Sequence, residues 1–162
     1  MAKTYEAIAS QTLGSAASSV SFTSIPGTYT DLFFVAQISN AVAASAVAWM
    51  RFNGITSSIY SLTKLIGNGY SASSYRQSNT SIAYIVDAYR QNEITVFTAN
   101  IMSYSNSAIY KTVLTTDANG AADANRGTML ARLTDAITSI VFVGGTNFAA
   151  GSTFSLYGIK AA

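Results

Sequence analysis

The residues with which enzymes perform acid–base chemistry are few in this sequence. Its 162 positions hold seven acidic residues, no histidine and no cysteine. Two of the acids, Asp87 and Glu93, flank one short polar segment, and glycoside hydrolysis uses a pair of carboxyl groups about 5 to 10 Å apart. Carboxylates beside a turn are far more often solvated surface groups. The sequence therefore predicts a protein that is not an enzyme and has no catalytic residue.

A second acidic segment resembles a calcium-binding loop only faintly. Asp117, Asn119 and Asp123 offer oxygen ligands, but an EF-hand loop needs glycine at its sixth position and an acid at its twelfth. Here Gly120 stands fourth and Thr128 stands twelfth. The lack of cysteine and histidine excludes the usual zinc sites and catalysis by a Ser-His-Asp triad. We expect a turn at this segment, and no metal or cofactor.

The charge content is the strongest guide to partners. Charged residues make up 10% of the chain, against about 25% in an average soluble protein. The nine basic residues are scattered rather than gathered in the stripe that nucleic-acid binding requires. A surface with so few charges has little to keep it apart from other surfaces. We expect a homo-oligomer or a permanently docked protein, and no nucleic-acid partner.

An alternation of apolar and polar residues, the signature of half-buried strands, recurs along the chain. One example is the series Leu32, Phe34, Ala36 and Ile38. Residues 32–50 carry no charge over the length of a membrane span, but Gln37 lies inside them, and strand-forming residues predict two strands and a loop instead of a membrane helix. The chain is predicted to be one all-β domain, residues 1–162, with nine to eleven short strands. We expect an antiparallel β-sandwich of jelly-roll type.

Turn-forming residues place three connections. Asn53-Gly54 is the usual pair of a hairpin turn. Residues 137–143 and 153–160 are predicted to form a closing hairpin around a loop of small residues. Residues 67–80 are predicted to be one long irregular loop, and loops of that length are often functional.

Two groups of side chains are candidate partner or glycan contacts. Tyr70, Tyr75 and Arg76 combine aromatic area with hydrogen-bonding neighbours, as in carbohydrate sites and protein paratopes. The alternative is a plain surface loop. Asn147 and Phe148, at the tip of the closing segment, either plug the end of the sandwich or touch a partner.

A third group consists of apolar residues opposite the better core face of their strands. In a lone sandwich such positions are normally polar, and large exposed apolar patches are rare in monomers. The group predicts a subunit interface, unless its strands are central and covered on both sides. Its members are Phe33, Val35, Val47, Trp49, Val141, Val143, Tyr157 and Ile159.

Four short motifs resemble those of virion accessory proteins of tailed bacteriophages. They are Tyr5-Glu6-Ala7-Ile8-Ala9, Ile25-Pro26-Gly27-Thr28-Tyr29-Thr30-Asp31-Leu32, Arg51-Phe52-Asn53-Gly54 and the closing Gly151-Ser152-Thr153-Phe154-Ser155-Leu156-Tyr157-Gly158-Ile159. The resemblance implies a jelly-roll module, usually a trimer, that decorates the capsid exterior and binds the major capsid protein. The alternative it implies is a module of a head or tail fibre that recognises a host-surface glycan.

Overall fold

The computed structural model describes residues 4–120 and 123–160, which fold into β-strands without any helix. Twelve strands lie in these ranges. They are β1 (Tyr5–Thr12), β2 (Ala17–Phe22), β3 (Asp31–Ile38), β4 (Ala46–Phe52), β5 (Tyr60–Gly67), β6 (Ala72–Thr80), β7 (Tyr84–Tyr89), β8 (Thr95–Met102), β9 (Lys111–Ala118), β10 (Ala124–Ala131), β11 (Ile140–Phe148) and β12 (Thr153–Ile159).

The strands form two antiparallel sheets. The large sheet has the order β1-β12-β3-β8-β9-β10-β5-β6, and the small sheet has the order β2-β11-β4-β7. The predicted class, an antiparallel β-sandwich of jelly-roll type, is confirmed, with twelve strands where nine to eleven were predicted. The two strands predicted within residues 32–50 are β3 and β4, and no helix in the described residues has the length and apolar character of a membrane span.

The strand order shows an eight-stranded jelly roll to which two further hairpins have been added. If the hairpins β5–β6 and β9–β10 are set aside, β1 pairs with β12, β2 with β11, β3 with β8, and β4 with β7. This pairing of first with last strand, and so inward, is the winding of an eight-stranded jelly roll. Both hairpins join the large sheet beyond β8. We call β9, β10, β5 and β6 the extension.

Phenylalanine rings fill the centre of the jelly roll. Phe142 of the small sheet lies 5.3 Å from Phe34 and 5.4 Å from Phe97 of the large sheet, measured between ring centroids. Phe148 stacks on Phe142 at 5.5 Å, and Phe154 lies 5.4 Å from Phe148. All five rings are fully buried. Since each aromatic side chain buries about 150–250 Å², this cluster is the main apolar contact between the sheets.

The closing segment is not a hairpin, and that prediction was wrong. Strand β11 pairs with β2 and β4 in the small sheet, whereas β12 pairs with β1 and β3 in the large sheet. The segment therefore crosses from one sheet to the other. Phe142 of β11 and Phe154 of β12 are both fully buried. They face each other across the core because they belong to opposite layers.

The Asn53-Gly54 turn also joins the two sheets. Both residues have positive φ, 50° and 68°, as expected for this pair. The flanking strands β4 and β5, however, belong to different sheets. The Asn53 side chain ties the turn to the start of β11, since its Nδ2 donates to the Ala136 carbonyl at 2.8 Å and its Oδ1 accepts from the Thr138 amide at 2.9 Å.

The long loop predicted at residues 67–80 is mostly a strand. Residues 72–80 form β6, which pairs with β5 at the edge of the large sheet. The prediction failed because both sides of β6 are largely exposed and polar, so the strand shows no apolar alternation. Only a short turn remains, in which the Asn68 side chain accepts hydrogen bonds from the amides of Tyr70 and Ser71 at 3.1 and 2.8 Å.

Candidate functional site

The outer face of the large sheet spans eight strands. The registers place Tyr157, Phe33, Asn100 and Leu114 in one transverse row, which continues through Thr128, Thr63 and Arg76. Successive side chains of a strand point to opposite faces, so these residues all face away from the core. We divide the face into a jelly-roll half on β1, β12, β3 and β8, and an extension half on β9, β10, β5 and β6.

The jelly-roll half carries four of the eight predicted interface residues. Phe33, Val35, Tyr157 and Ile159 all lie on it and are half-buried by their neighbours. The ring of Tyr5 packs edge-on against Phe33 at 5.9 Å. Val96 and Met102 add further apolar area, with 43% and 40% of their surface exposed. Asp31 is the one charged residue on the outer side of β3, β8 and β12 as described, and its carboxylate accepts the Ser103 amide at 2.6 Å.

The other four predicted interface residues lie on the opposite side of the sandwich. Val47, Trp49, Val141 and Val143 belong to β4 and β11, on the outer face of the small sheet. Trp49 packs against Tyr84 at 6.3 Å, and the Arg51 guanidinium carbon lies 5.9 Å from the Trp49 ring centre. The predicted set is therefore split between two faces, and a single flat interface reaches only one of them.

The three loop candidates do not form one platform. Tyr70 is fully exposed in the turn before β6. Tyr75 lies on the inner side of β6, where the Lys64 ammonium is 5.7 Å from its ring centre, whereas Arg76 lies on the outer side. Neighbouring residues of a strand diverge in this way because the backbone is pleated. A ligand on one face of the sheet meets Arg76 without Tyr75.

Asn147 and Phe148, at the tip of the closing segment, were predicted either to plug the end of the sandwich or to touch a partner. Phe148 is fully buried and plugs the end of the sandwich, with its ring 5.3 Å from that of Tyr89. It is therefore not a partner contact. Asn147 is exposed, and its backbone carbonyl accepts a hydrogen bond from the Ala41 amide at 3.0 Å.

A polar cluster that the sequence interpretation missed lies on the inner face of the extension. Lys64, 1% exposed, donates to Asp87 Oδ1 at 2.7 Å and to the Tyr84 carbonyl at 3.1 Å. Asp117, also 1% exposed, accepts from Asn125 Nδ2 at 2.8 Å. Burial raises the pKa of the Asp117 carboxyl above its usual range, while the Asn125 hydrogen bond and the Lys64 charge act against this rise.

The alternation of buried and exposed positions along β5 and β9 could have revealed this cluster. Lys64 shares strand parity with the buried Tyr60 and Leu62, and Asp117 shares parity with the buried Val113. A charge at a core position of a strand predicts a buried charged group that needs a partner. Asp87, one of the two acids considered for glycoside hydrolysis, supplies that partner for Lys64.

A second buried ammonium belongs to Lys111 at the start of β9. Its Nζ donates to the carbonyls of Ile109 and Thr134 at 3.1 and 3.0 Å and also to that of Asn106. Burial lowers the pKa of Lys111, and the negative charge of Asp135 opposes that shift. The ammonium ties together three loop carbonyls, which is a structural role.

The extension half of the outer face holds a shallow trough with a cavity of about 510 Å³. Arg76 and Arg132 lie on it, and Arg132 is anchored by hydrogen bonds to Ser61 Oγ at 3.0 Å and Asn79 Oδ1 at 2.5 Å. Arg126 borders the neighbouring depression, which shares Thr63 and Thr128 with the trough. Among the described residues no group of three or more acidic, histidine or cysteine side chains is placed to hold a metal ion.

Comparison with known proteins identifies no family. No protein-family model matches the sequence, and no curated protein matches it. The galectin LEC-6 of Caenorhabditis elegans is similar in structure, with 9% identity, a TM-score of 0.39 and coverage of 94% of this chain and 96% of the galectin. Domains LG4-5 of the mouse laminin α1 chain give 10% identity, a TM-score of 0.37 and coverage of 92% and 41%. The PL-14 alginate lyase of Aplysia kurodai gives 10% identity, a TM-score of 0.34 and coverage of 85% of this chain and 72% of the lyase.

Proposed function

We propose that the protein is a non-enzymatic structural component of a tailed-bacteriophage particle, an oligomeric decoration protein on the outside of the capsid. The observation that carries the proposal is the jelly-roll half of the outer face, a broad sheet surface that mixes large apolar side chains with neutral polar ones and is almost uncharged. The setting is suggested by the four short motifs that resemble those of phage virion accessory proteins. The nearly chargeless composition supports a surface that is covered in the assembled state.

In this proposal the two outer faces of the sandwich have different partners. Copies of the chain pack together through Phe33, Val35 and their neighbours on the jelly-roll half, as a trimer. The outer face of the small sheet, with Trp49 at its centre, then points towards the major capsid protein. Tryptophan is among the residues that most often dominate the binding energy of an interface.

The mechanism needs no chemistry beyond burial. Apolar surface removed from water contributes about 25 cal/mol per Å², and a stable interface buries roughly 800 Å² on each partner. A trimer that bridges neighbouring capsid subunits adds such contacts at many places on the shell, and the shell becomes harder to rupture.

The test is the number of copies in the particle. Quantitative mass spectrometry of purified virions of the phage that encodes the chain should find hundreds of copies per particle. Cryo-electron microscopy should place them on the capsid exterior. A handful of copies at one vertex or on the tail would support the alternative, a receptor-binding fibre module. Absence of the protein from the virion would refute both.

A further inference from the structure

The extension half of the outer face concentrates positive charge, and no acidic residue of the described chain forms an ion pair with it. Arg76, Arg126 and Arg132 all lie on this side of the sheet. The two ion pairs found in residues 4–120 and 123–160 are Lys64–Asp87 and Lys160–Glu6, and neither involves these arginines. A guanidinium presents a planar fork of donors that matches a carboxylate in two parallel hydrogen bonds. We propose that this trough binds an acidic polysaccharide through the carboxylates of its sugars.

The spacing of the arginines suits an extended polymeric ligand rather than a single small anion. Arg76 is in register with Thr63 and Thr128, and Arg126 lies one outward position further along β10. With strands about 4.8 Å apart and about 3.4 Å per residue, the Cα atoms of Arg76 and Arg126 are roughly 12 Å apart. Arg132 lies beyond the other end of β10. An extended ligand meets at least two guanidinium groups at once.

One of the three guanidinium groups is already fixed in place. The ladder between β5 and β6 shifts register between Tyr60 and Leu62, and Asn79 adopts a positive φ of 52° there. This bulge brings Asn79 beside Ser61, and both hold Arg132. Only two of the five N–H donors of Arg132 are used in this way. A prepositioned donor loses less conformational entropy on binding than a free side chain does.

The neutral lining favours a carbohydrate over a nucleic acid. Between the arginines the trough presents the hydroxyls of Ser61, Thr63, Ser78 and Thr128, with Leu130 as an apolar strip. Sugars offer both hydroxyl groups and apolar C–H faces to such a surface. Single-stranded nucleic acids bind largely by stacking bases on aromatic rings, and no aromatic residue lines the trough, because Tyr75 faces the other side of β6.

The position of the trough in the fold supports a binding role for its arginines. The trough lies on β5, β6 and β10, three of the four strands that the two hairpins add to the jelly roll. Neither Arg76 nor Arg126 makes a side-chain hydrogen bond or ion pair within the described chain, so neither contributes a polar contact to the fold. The inference is independent of the proposed contact between copies, which uses the other half of this face, and of capsid docking, which uses the outer face of the small sheet.

Calorimetric titration with a defined probe tests the proposal. Tetragalacturonate is compared with its fully methyl-esterified form, which keeps the sugars and removes the charges, and with a single-stranded oligonucleotide. The variant Arg76→Gln/Arg126→Gln is compared with Arg90→Gln/Arg51→Gln, which removes the same charge elsewhere. We expect the acidic probe alone to bind, at least tenfold more weakly to the trough variant and unchanged in the control, because each charge-assisted pair is worth about tenfold or more in affinity.

Several results would overturn the proposal. These are equal binding of the esterified probe, an equal loss in the two variants, stronger binding of the oligonucleotide, and no binding of tetragalacturonate at millimolar concentration. Circular dichroism of each variant checks that the sandwich is intact, since neither Arg76 nor Arg126 is buried.

Discussion

The rings of Phe142 and Phe154 lie 5.9 Å apart although their strands belong to different sheets. Eleven residues separate them along the chain, and between them the backbone leaves the small sheet and enters the large one. Phe148 fills the space at this crossing and contacts both rings. The end of the chain thus holds the two layers together instead of forming a hairpin within one layer.

Truncation of Phe148 should strongly destabilise the fold. The ring is fully buried among other aromatic rings, so Phe148→Ala leaves a cavity between the sheets. We expect a loss of about 3–5 kcal/mol in the free energy of unfolding, measured by urea denaturation followed by fluorescence. Asn147→Ala, at the exposed neighbouring position, should change the midpoint little. A small effect of Phe148→Ala would show that the crossing is not a packing centre.

Removal of the Lys111 ammonium should also be costly. Lys111→Met fills a similar volume but leaves the carbonyls of Asn106, Ile109 and Thr134 without their donor. We expect a loss of about 2–4 kcal/mol, since each unsatisfied buried group costs about 1–3 kcal/mol and the loop partly relaxes. Lys160→Met, at an exposed ion pair, should leave the unfolding midpoint almost unchanged. Equal effects of the two substitutions would contradict the structural role of Lys111.

The buried Asp117 carboxyl should make stability depend on pH in a defined direction. Its pKa is raised in the folded protein, mainly by burial, so in the window between its ordinary and its raised pKa the folded state binds more protons than the unfolded state. The contribution of this group to stability is therefore complete below the ordinary pKa of aspartate and is lost as the pH rises through the raised value.

Asp117→Asn should remove this loss of stability with rising pH. The amide cannot titrate, and its oxygen can still accept the hydrogen bond from Asn125 Nδ2. We expect a flatter profile of thermal midpoint against pH in the acidic to neutral range than that of the wild-type protein. An unchanged profile in Asp117→Asn would show that another group controls the dependence.

Alternation along the chain predicted most of the strands and most of the core, because it depends only on neighbouring residues. Leu32, Phe34 and Ile38 illustrate this, since they belong to one alternating series and all three are fully buried. Strand β6 was missed because an edge strand with both faces exposed needs no apolar residues, and its order comes from backbone hydrogen bonds to β5.

Strand partners could not be predicted by the same means. Asn53-Gly54 and the small residues after Val143 both looked like hairpin loops, and both connect the two sheets. The trough was missed for the same reason. Arg76 was recognised as a candidate, but its proximity to Arg126 and Arg132 depends on pairing between strands that are distant in the sequence.

Sedimentation velocity at micromolar concentration tests whether the jelly-roll half of the outer face is the contact between copies. Val35 lies on that half and Val141 on the opposite face, and both are half-buried valines in central strands. A charge buried in an interface without a partner is strongly destabilising. We predict a trimer for the wild-type protein and for Val141→Glu, and a monomer for Val35→Glu. A monomeric wild-type protein, or dissociation by Val141→Glu with Val35→Glu still a trimer, would contradict the account.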